Sequence, residues 1–185
     1  GAVLAMTITL DEAKAALGRG DPLIAWGVGT HPRYPRCQAG FDPARFRALA
    51  ERTAIVGEVG LDRGGRVPME KQLEVFREVL QFVAGTPRLV SIHAYQAMDL
   101  VLAELERCPV NTPIIHWWTG NVAETRWAVE LGCYFSVHSA VARHSKFRLH
   151  VPPERVLVES DHGYNDPPAA IPCRVEWVEH LLSVR

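Results

Sequence analysis

Short apolar runs in this chain end repeatedly in residues of the kinds that bind metal ions. The run Ile55–Gly57 leads into Glu58. A carboxylate at the end of an apolar strand is costly to bury unless its charge is compensated. Three later runs lead into His93, His116 and Asp161. Because barrels place functional residues at the carboxyl ends of parallel strands, the pattern predicts a metal centre at one rim of a barrel.

The apolar runs predict seven strands, each bounded by Gly, Pro or polar residues. Continuous apolar runs without alternation are typical of strands that are buried on both faces. The predicted strands are Ala2–Met6, Leu23–Val28, Ala54–Glu58, Leu89–His93, Pro113–His116, Cys133–Val137 and Val156–Glu159.

A helical pattern follows each predicted strand. Thr9 and Asn121 each have a Glu three residues later, which is a capping signature, and Asp42 precedes an N1 proline. Gly132 lies where a glycine commonly follows the end of a helix. Apolar stripes at steps of three and four predict the other helices, after Pro68, from Met98, near Val141–Leu149 and through Val175–Leu182.

Strict alternation of strands and helices predicts an α/β fold with a parallel sheet and crossover helices. Seven units favour an incomplete TIM-type (β/α) barrel, since a complete barrel has eight strands and about 250 residues. The rival is a doubly wound open sheet, which would place its polar residues mainly at one switch point. Here polar residues end nearly every strand. No linker divides the chain, so residues 1–185 are expected to form a single domain.

Composition argues against several classes of protein. The formal net charge of −1 gives no basic field that would indicate a nucleic-acid partner. No apolar run approaches the roughly 18 residues of a membrane span. The cysteines form no Cys-x-x-Cys pair, which favours reduced thiols in a cytoplasmic protein. Nucleophile-elbow, P-loop and dinucleotide-binding motifs are absent from the sequence.

The residues at the predicted strand ends have the chemistry of a metal site. Two imidazoles and one carboxylate, from His93, His116 and Glu58, are a recurrent ligand set for Zn, Mn or Fe. Asp161 is expected either to bind the metal or to take a proton from the attacking water.

Four further residues are the predicted substrate-binding set: His31, Asp62, Trp117 and His138. The role of His31 is open between a ligand, a substrate contact and a turn residue, and we prefer the contact. Asp62 has two other interpretations, as an acceptor that orients a ligand and as a cap of the following loop. Either Trp117 or Trp118 is expected to line the pocket and stack against a base or sugar, and Trp117 is preferred. The loop cations Arg63, Arg66 and Arg143 either hold a phosphate or belong to ordinary surface.

Six short motifs follow one another along nearly the whole chain: Gly29-Thr30-His31-Pro32, Gly57-Glu58-Val59-Gly60-Leu61-Asp62, Lys71-Gln72 with Phe76, Ser91-Ile92-His93, Ile115-His116-Trp117 and Glu159-Ser160-Asp161. In this order and spacing they resemble the TatD family of metal-dependent hydrolases, in the amidohydrolase-type barrel superfamily. The glycine-flanked glutamate motif is the most specific of the six.

The resemblance implies a distorted (β/α) barrel that holds one or two divalent ions, with Zn, Mg and Mn as the candidates. It implies hydrolysis of phosphodiester bonds, often as a deoxyribonuclease, so DNA is the implied partner and no membrane is involved. It further implies that Glu58, His93, His116 and Asp161 are metal ligands. Glu58 and Asp161 would also be catalytic, and His31 would contact the substrate.

The chain departs from the family pattern in ways that bear on activity. The family opens with a strand ending in His-x-His, which supplies two ligands of one metal, and this chain contains no His-x-His. Ala2–Met6 looks like the second family strand, so the first is expected to be missing. Ser160 and His162 also depart from the commoner Glu-Thr-Asp-x-Pro form. We therefore expect at most one well-bound divalent ion and impaired activity.

Two other functions stay open from the sequence. One is hydrolysis of an ester, lactone or amide by a metal-dependent enzyme of the same superfamily. The other is a non-catalytic, truncated remnant whose open strand edges pair with another chain.

Overall fold

The computed structural model describes residues 3–138 and 150–161. Up to residue 137, one helix separates each strand from the next, except that two helices lie between the second and third strands. The strands are β1 (Val3–Met6), β2 (Ile24–Gly27), β3 (Ile55–Asp62), β4 (Leu89–Tyr95), β5 (Thr112–Ile115), β6 (Tyr134–Val137) and β7 (Val156–Val158). The helices are α1 (Leu10–Ala16), α2 (Pro35–Ala39), α3 (Pro43–Ala50), α4 (Met69–Val83), α5 (Met98–Arg107) and α6 (Val122–Glu130). The helices predicted near Val141–Leu149 and through Val175–Leu182 lie outside the described residues.

The chain divides into two compact units, residues 1–114 and 115–185, and the single domain over 1–185 stays a prediction. In the first unit β1 pairs with β2 and β3 pairs with β4, and both pairs are parallel. An isolated parallel bridge joins Val28, just after β2, to Val56 of β3. The carboxyl ends of these strands therefore share one edge, which is where the predicted site residues occur.

Strand β3 is longer than predicted. The expectation that it ends at Glu58 is wrong, because the strand continues to Asp62 and all eight of its residues are buried. The pairing with β4 shifts register between Val56 and Val59, and the Gly57–Glu58 peptide bond is cis. Glu58 thus lies inside an irregular strand rather than after it. Apolar patterning places the end of a strand at its polar residue and so misses such an irregularity. For the same reason the predicted end of β4, His93, lies two residues before the observed end at Tyr95.

Helix α4 covers β3 with an apolar face. Its buried residues include Val75, Phe76, Val79, Leu80 and Val83, at the spacing of one helical face. Burying such a side chain contributes about 1.5–3 kcal/mol. This face therefore supplies much of the core that holds β3, and the site residues on it, in place.

Local capping signals are confirmed by the structure. The side chains of Thr9, Asp42 and Asn121 each accept backbone N–H groups at the start of a helix, and Asn121 with Glu124 forms a complete capping box. Helix α2 was not predicted, because its five residues are too few to show an apolar stripe.

In the second unit, strand β6 pairs in parallel with β7, and Phe135 lies opposite Val156. Helix α6 precedes β6 and ends before Gly132, whose φ is +80° as the capping pattern requires. Among the described residues, no helix has the length and apolar character needed to cross a bilayer. The described cysteines, Cys37, Cys108 and Cys133, are free thiols.

Candidate metal centre

Glu58 is held by the backbones of two neighbouring segments. Its N–H donates to the carbonyl of Thr7, just after β1, at 3.1 Å, and its carbonyl accepts the N–H of Thr30, beyond β2, at 2.9 Å. The residue is 8% exposed. The ends of three parallel strands therefore fix the position of one nearly buried carboxylate.

The His93 ring lies between two carboxylates. Its Nδ1 is 2.7 Å from Glu58 Oε1, and its Nε2 is 2.8 Å from Asp62 Oδ2. Asp62 is 1% exposed, and its other oxygen accepts the Gly64 N–H at 2.7 Å. The predicted pairing of Glu58 with His93 is present, and Asp62 joins them.

The charges of this cluster are coupled. Burial opposes protonation of His93, but hydrogen bonds to Asp62 and Glu58 outweigh it and raise the pKa of the ring. Burial would raise the pKa of Asp62, but the His93 contact, Arg33 and the Gly64 N–H together lower it. The carboxylates on either side of the His93 ring thus favour its protonated, cationic form. Such a site favours a cation, so a divalent ion would replace the proton on His93.

His31 completes a group with ligand chemistry. One ligand atom from each of His31, Glu58 and His93 lies within 4.8 Å of the others. Imidazole and carboxylate donors at this separation fit a Zn or Mn ion. Among the residues that the structure describes, this is the group that could hold a metal.

The hydrogen bonding of His31 limits its part in that group. Its Nδ1 accepts the N–H of Arg33 at 3.1 Å, so a neutral ring carries its proton on Nε2. That Nε2 faces Glu58 Oε1 at 3.5 Å. A protonated ring nitrogen is a hydrogen-bond donor and not a metal ligand, so the geometry favours the predicted substrate contact.

The second unit has a histidine that is oriented in a similar way. His116 Nδ1 lies 2.7 Å from Glu159 Oε2, and the Ser136 hydroxyl donates to the same oxygen. Its Nε2 is 3.7 Å from Asp161 Oδ1. Glu159 thus turns the ring so that its other nitrogen faces Asp161.

Trp117 and His138 lie together in the second unit. Their rings stack with centroids 4.2 Å apart and planes inclined by 29°. Trp117 has a φ of +41°, and His138 is 7% exposed. The structure therefore pairs two of the predicted substrate-binding residues.

The predicted metal ligands are placed as two pairs, Glu58 with His93 and His116 with Asp161. Each pair is described within its own unit, and convergence of all four at one point stays a prediction. Sequence reasoning missed the role of Glu159, although this residue directly follows an apolar strand. The contact of Asp62 with His93 matches one of the interpretations left open for Asp62, that of an acceptor that orients a ligand.

A parallel α/β fold with imidazoles and carboxylates at its strand ends is typical of TIM-barrel-like hydrolases. The chain belongs to the TatD family: the model of the family described as TatD-related DNase matches residues 2–183. The predicted family and the α/β fold are thereby confirmed.

Two solved structures show the same fold. YJJV, a TatD homologue from Escherichia coli K12, has a TM-score of 0.84 and 22% identity, covering 100% of this chain and 78% of that one. A TatD-family hydrolase from Entamoeba histolytica has a TM-score of 0.70 and 17% identity, covering 85% of this chain and 59% of that one. No curated protein matches the chain.

Proposed function

We propose that this TatD-family chain is a divalent-metal-dependent phosphodiesterase that acts on nucleic acid, in the manner of a deoxyribonuclease. The observation that carries the proposal is the contact between the buried Glu58 carboxylate and His93, whose Oε1 and Nδ1 atoms are 2.7 Å apart, with His31 beside them. Family membership supports the choice of phosphodiesters. The free thiols support a cytoplasmic location.

The residues divide into those that hold the ion and those that contact the substrate. We assign Glu58 and His93 as ligands, and the family resemblance adds His116 and Asp161. Bound there, a divalent ion would act as a Lewis acid and lower the pKa of a coordinated water. Zn, Mg and Mn all stay candidates.

The protein groups supply the proton transfers and the orientation. His31 donates from Nε2 to a non-bridging phosphate oxygen, and Asp62 accepts from His93 and holds its ring. Asp161 takes a proton from the attacking water as its oxygen bonds to phosphorus. The bond from phosphorus to the leaving oxygen breaks, and that oxygen is protonated from solvent. Trp117, stacked on His138, offers an apolar face to the substrate.

The number of ions follows from the donor set of this 185-residue chain. It contains no His-x-His, and family analogy gives that motif two ligands of one metal. We propose that the chain binds at most one divalent ion tightly and hydrolyses slowly. Metal analysis by mass spectrometry after dialysis tests this point, and two retained ions per chain would contradict it.

Hydrolysis by the purified chain tests the reaction. The protein is stripped with EDTA and reloaded with Zn²⁺, Mn²⁺ or Mg²⁺, and a chromogenic phosphodiester is compared with a chromogenic carboxylic ester. We expect metal-dependent cleavage of the phosphodiester, lowered on the order of 100-fold or more by Glu58→Gln and by Asp161→Asn. The exposed residue Glu106 provides a control, Glu106→Gln. Cleavage of the ester alone would favour the ester, lactone or amide alternative, and no cleavage with any ion would favour a non-catalytic chain.

A further inference from the structure

A cleft of about 240 Å³ in the first unit is lined by two arginines, a tyrosine and two glycines: Arg33, Arg66, Tyr34, Gly64 and Gly65, with Pro35. Pockets that enclose a whole drug-sized ligand measure roughly 300–1,000 Å³. The cleft therefore fits a piece of a larger ligand, such as one phosphate with part of its sugar.

Arg33 connects this cleft to the candidate metal centre. Its Nη1 is 3.4 Å from Asp62 Oδ2, the same oxygen that lies 2.8 Å from His93 Nε2. The Arg33 side chain is 40% exposed, and the Asp62 contact uses one of the five N–H donors of a guanidinium. Arg33 therefore keeps donors for an anion in the cleft.

The loop that carries Arg66 is built against Arg33. A Cβ on Gly65 would lie 3.0 Å from Arg33 Cα and 3.1 Å from its carbonyl oxygen, so a larger residue here would push the loop and Arg33 slightly apart. The N–H of Gly64 donates to Asp62 Oδ1 at 2.7 Å. The position of the cleft relative to His93 is thus set by the carboxylate of Asp62.

The cations near the cleft differ in what they already bind. Arg63 makes two bonds to the Asp99 carboxylate, at 2.9 and 3.0 Å, and is neutralised by it. Arg66 is exposed and lines the cleft. Arg143 lies outside the described residues. Of the two loop cations that the structure describes, Arg63 and Arg66, the second is therefore the one placed to bind an anion.

Tyr34 adds an apolar surface to the cleft. Its ring lies 4.9 Å from that of His31, between the cleft and the proposed substrate contact, and 37% of the residue is exposed. Aromatic rings beside cationic groups are the usual contacts of single-stranded nucleic acid.

We propose that this cleft binds a phosphate of the nucleic-acid strand that flanks the scissile phosphodiester, with Arg66 and Arg33 as its cationic contacts. Planar guanidinium groups match phosphate oxygens in geometry and charge. The inference rests on the proposed function and specifies that the substrate is a strand extending beyond one phosphodiester.

Binding of a fluorescein-labelled, six-nucleotide single strand to the EDTA-treated chain tests the cleft without any turnover. We expect Arg66→Gln to weaken binding roughly two- to fivefold. The slope of log affinity against log salt concentration should fall by about 0.7, the value for one phosphate contact on a single strand. The control is Arg19→Gln, which removes the same charge from a 60% exposed side chain in the turn before β2. Circular dichroism checks that both variants fold.

A series of strands locates the contact, each strand carrying one neutral methylphosphonate linkage at a different position. A neutral linkage at one position should weaken binding by the unaltered chain. The same linkage should not weaken binding by the Arg66→Gln variant any further. Equal salt slopes for Arg66→Gln and Arg19→Gln would overturn the inference. So would losses of affinity from the neutral linkage and from Arg66→Gln that add at every position. Neither result would affect the proposed hydrolysis of phosphodiesters. If the unaltered chain neither bound the strand nor cleaved a phosphodiester with any metal, the proposed function would fail together with the inference.

Discussion

Gln72 bonds both backbone polar atoms of Asp62. Its Oε1 accepts the Asp62 N–H at 2.7 Å, and its Nε2 donates to the Asp62 carbonyl at 2.9 Å. The same Nε2 donates to the carbonyl of Val67 at 2.9 Å. Both Gln72 and Asp62 are 1% exposed. One buried amide on α4 therefore fixes the carboxylate that meets His93.

Gln72→Met keeps the length of the side chain and removes its hydrogen bonds. The N–H and two carbonyls that it satisfies would be left buried, at about 1–3 kcal/mol for each group that water does not reach. We expect a loss of about 2–4 kcal/mol in the free energy of unfolding, measured with urea. Glu74→Gln, at an exposed position of the same helix, should change it by less than about 0.5 kcal/mol. Equal stabilities for the two variants would contradict this role of Gln72.

Asp62→Asn separates two roles of the carboxylate. If Asp62 orients His93 through Nε2, the affinity for Zn²⁺ should fall roughly 10- to 100-fold, as is usual when such a partner is lost. Calorimetric titration of the stripped chain measures this, with the exposed residue Asp99 changed to Asn as the control. An unchanged affinity with a raised KM would instead favour the direct substrate contact predicted from the sequence.

The parts of the fold that could be predicted depend on neighbours in the sequence. Asn121 and Glu124 make their capping box within one helical turn, and the buried stripe of α4 follows from helical periodicity. The end of β3 could not be predicted, because Glu58 and Asp62 are tolerated in a buried strand through contacts with other elements, among them His93 of β4. Those contacts depend on tertiary structure, which apolar patterning does not report.

The candidate site divides in the same way. Glu58 and His93 were predicted because each directly follows an apolar run, and neighbouring strands bring them together. Gln72 and Glu159 act through partners on other elements, Asp62 and His116. Polar residues that position a ligand have no fixed spacing from it, so sequence alone indicates candidate ligands more readily than the residues that orient them.

Gly60 allows β3 to lie against His93. Its φ is +132°, and a Cβ there would be 2.1 Å from the His93 carbonyl oxygen. Gly60→Ala should therefore combine backbone strain with a steric clash and cost about 2–5 kcal/mol. Gly85 has a φ of +72° and open space around it, so Gly85→Ala should cost only the strain, about 1 kcal/mol. Urea unfolding of both variants measures the difference, and a Gly60→Ala variant as stable as Gly85→Ala would disprove the close packing.

Glu104 on α5 should make stability depend on acid pH. Its carboxylate accepts from Arg77 Nε at 2.9 Å and Nη2 at 2.6 Å, and from Arg107 at 3.2 Å. The Arg77 bonds, with Arg107, outweigh burial and lower the pKa of Glu104 below its usual 4.5. Because the folded state prefers the ionised form of Glu104, this carboxylate contributes its full stabilisation at pH values above its pKa in the unfolded chain. That stabilisation is lost as the pH falls through the lower, folded value.

Glu104→Gln should cost about 1–2 kcal/mol near pH 7, a modest figure because Arg77 is half-exposed. The difference in unfolding free energy between the unaltered chain and this variant should stay constant down to about pH 5.5 and shrink below pH 4.5. Urea unfolding at several pH values measures this difference, and Glu106→Gln, at an exposed position two residues along the helix, controls for the loss of charge. If the difference in unfolding free energy between the unaltered chain and Glu104→Gln stayed the same from neutral to strongly acid pH, ionisation of Glu104 would not stabilise the fold.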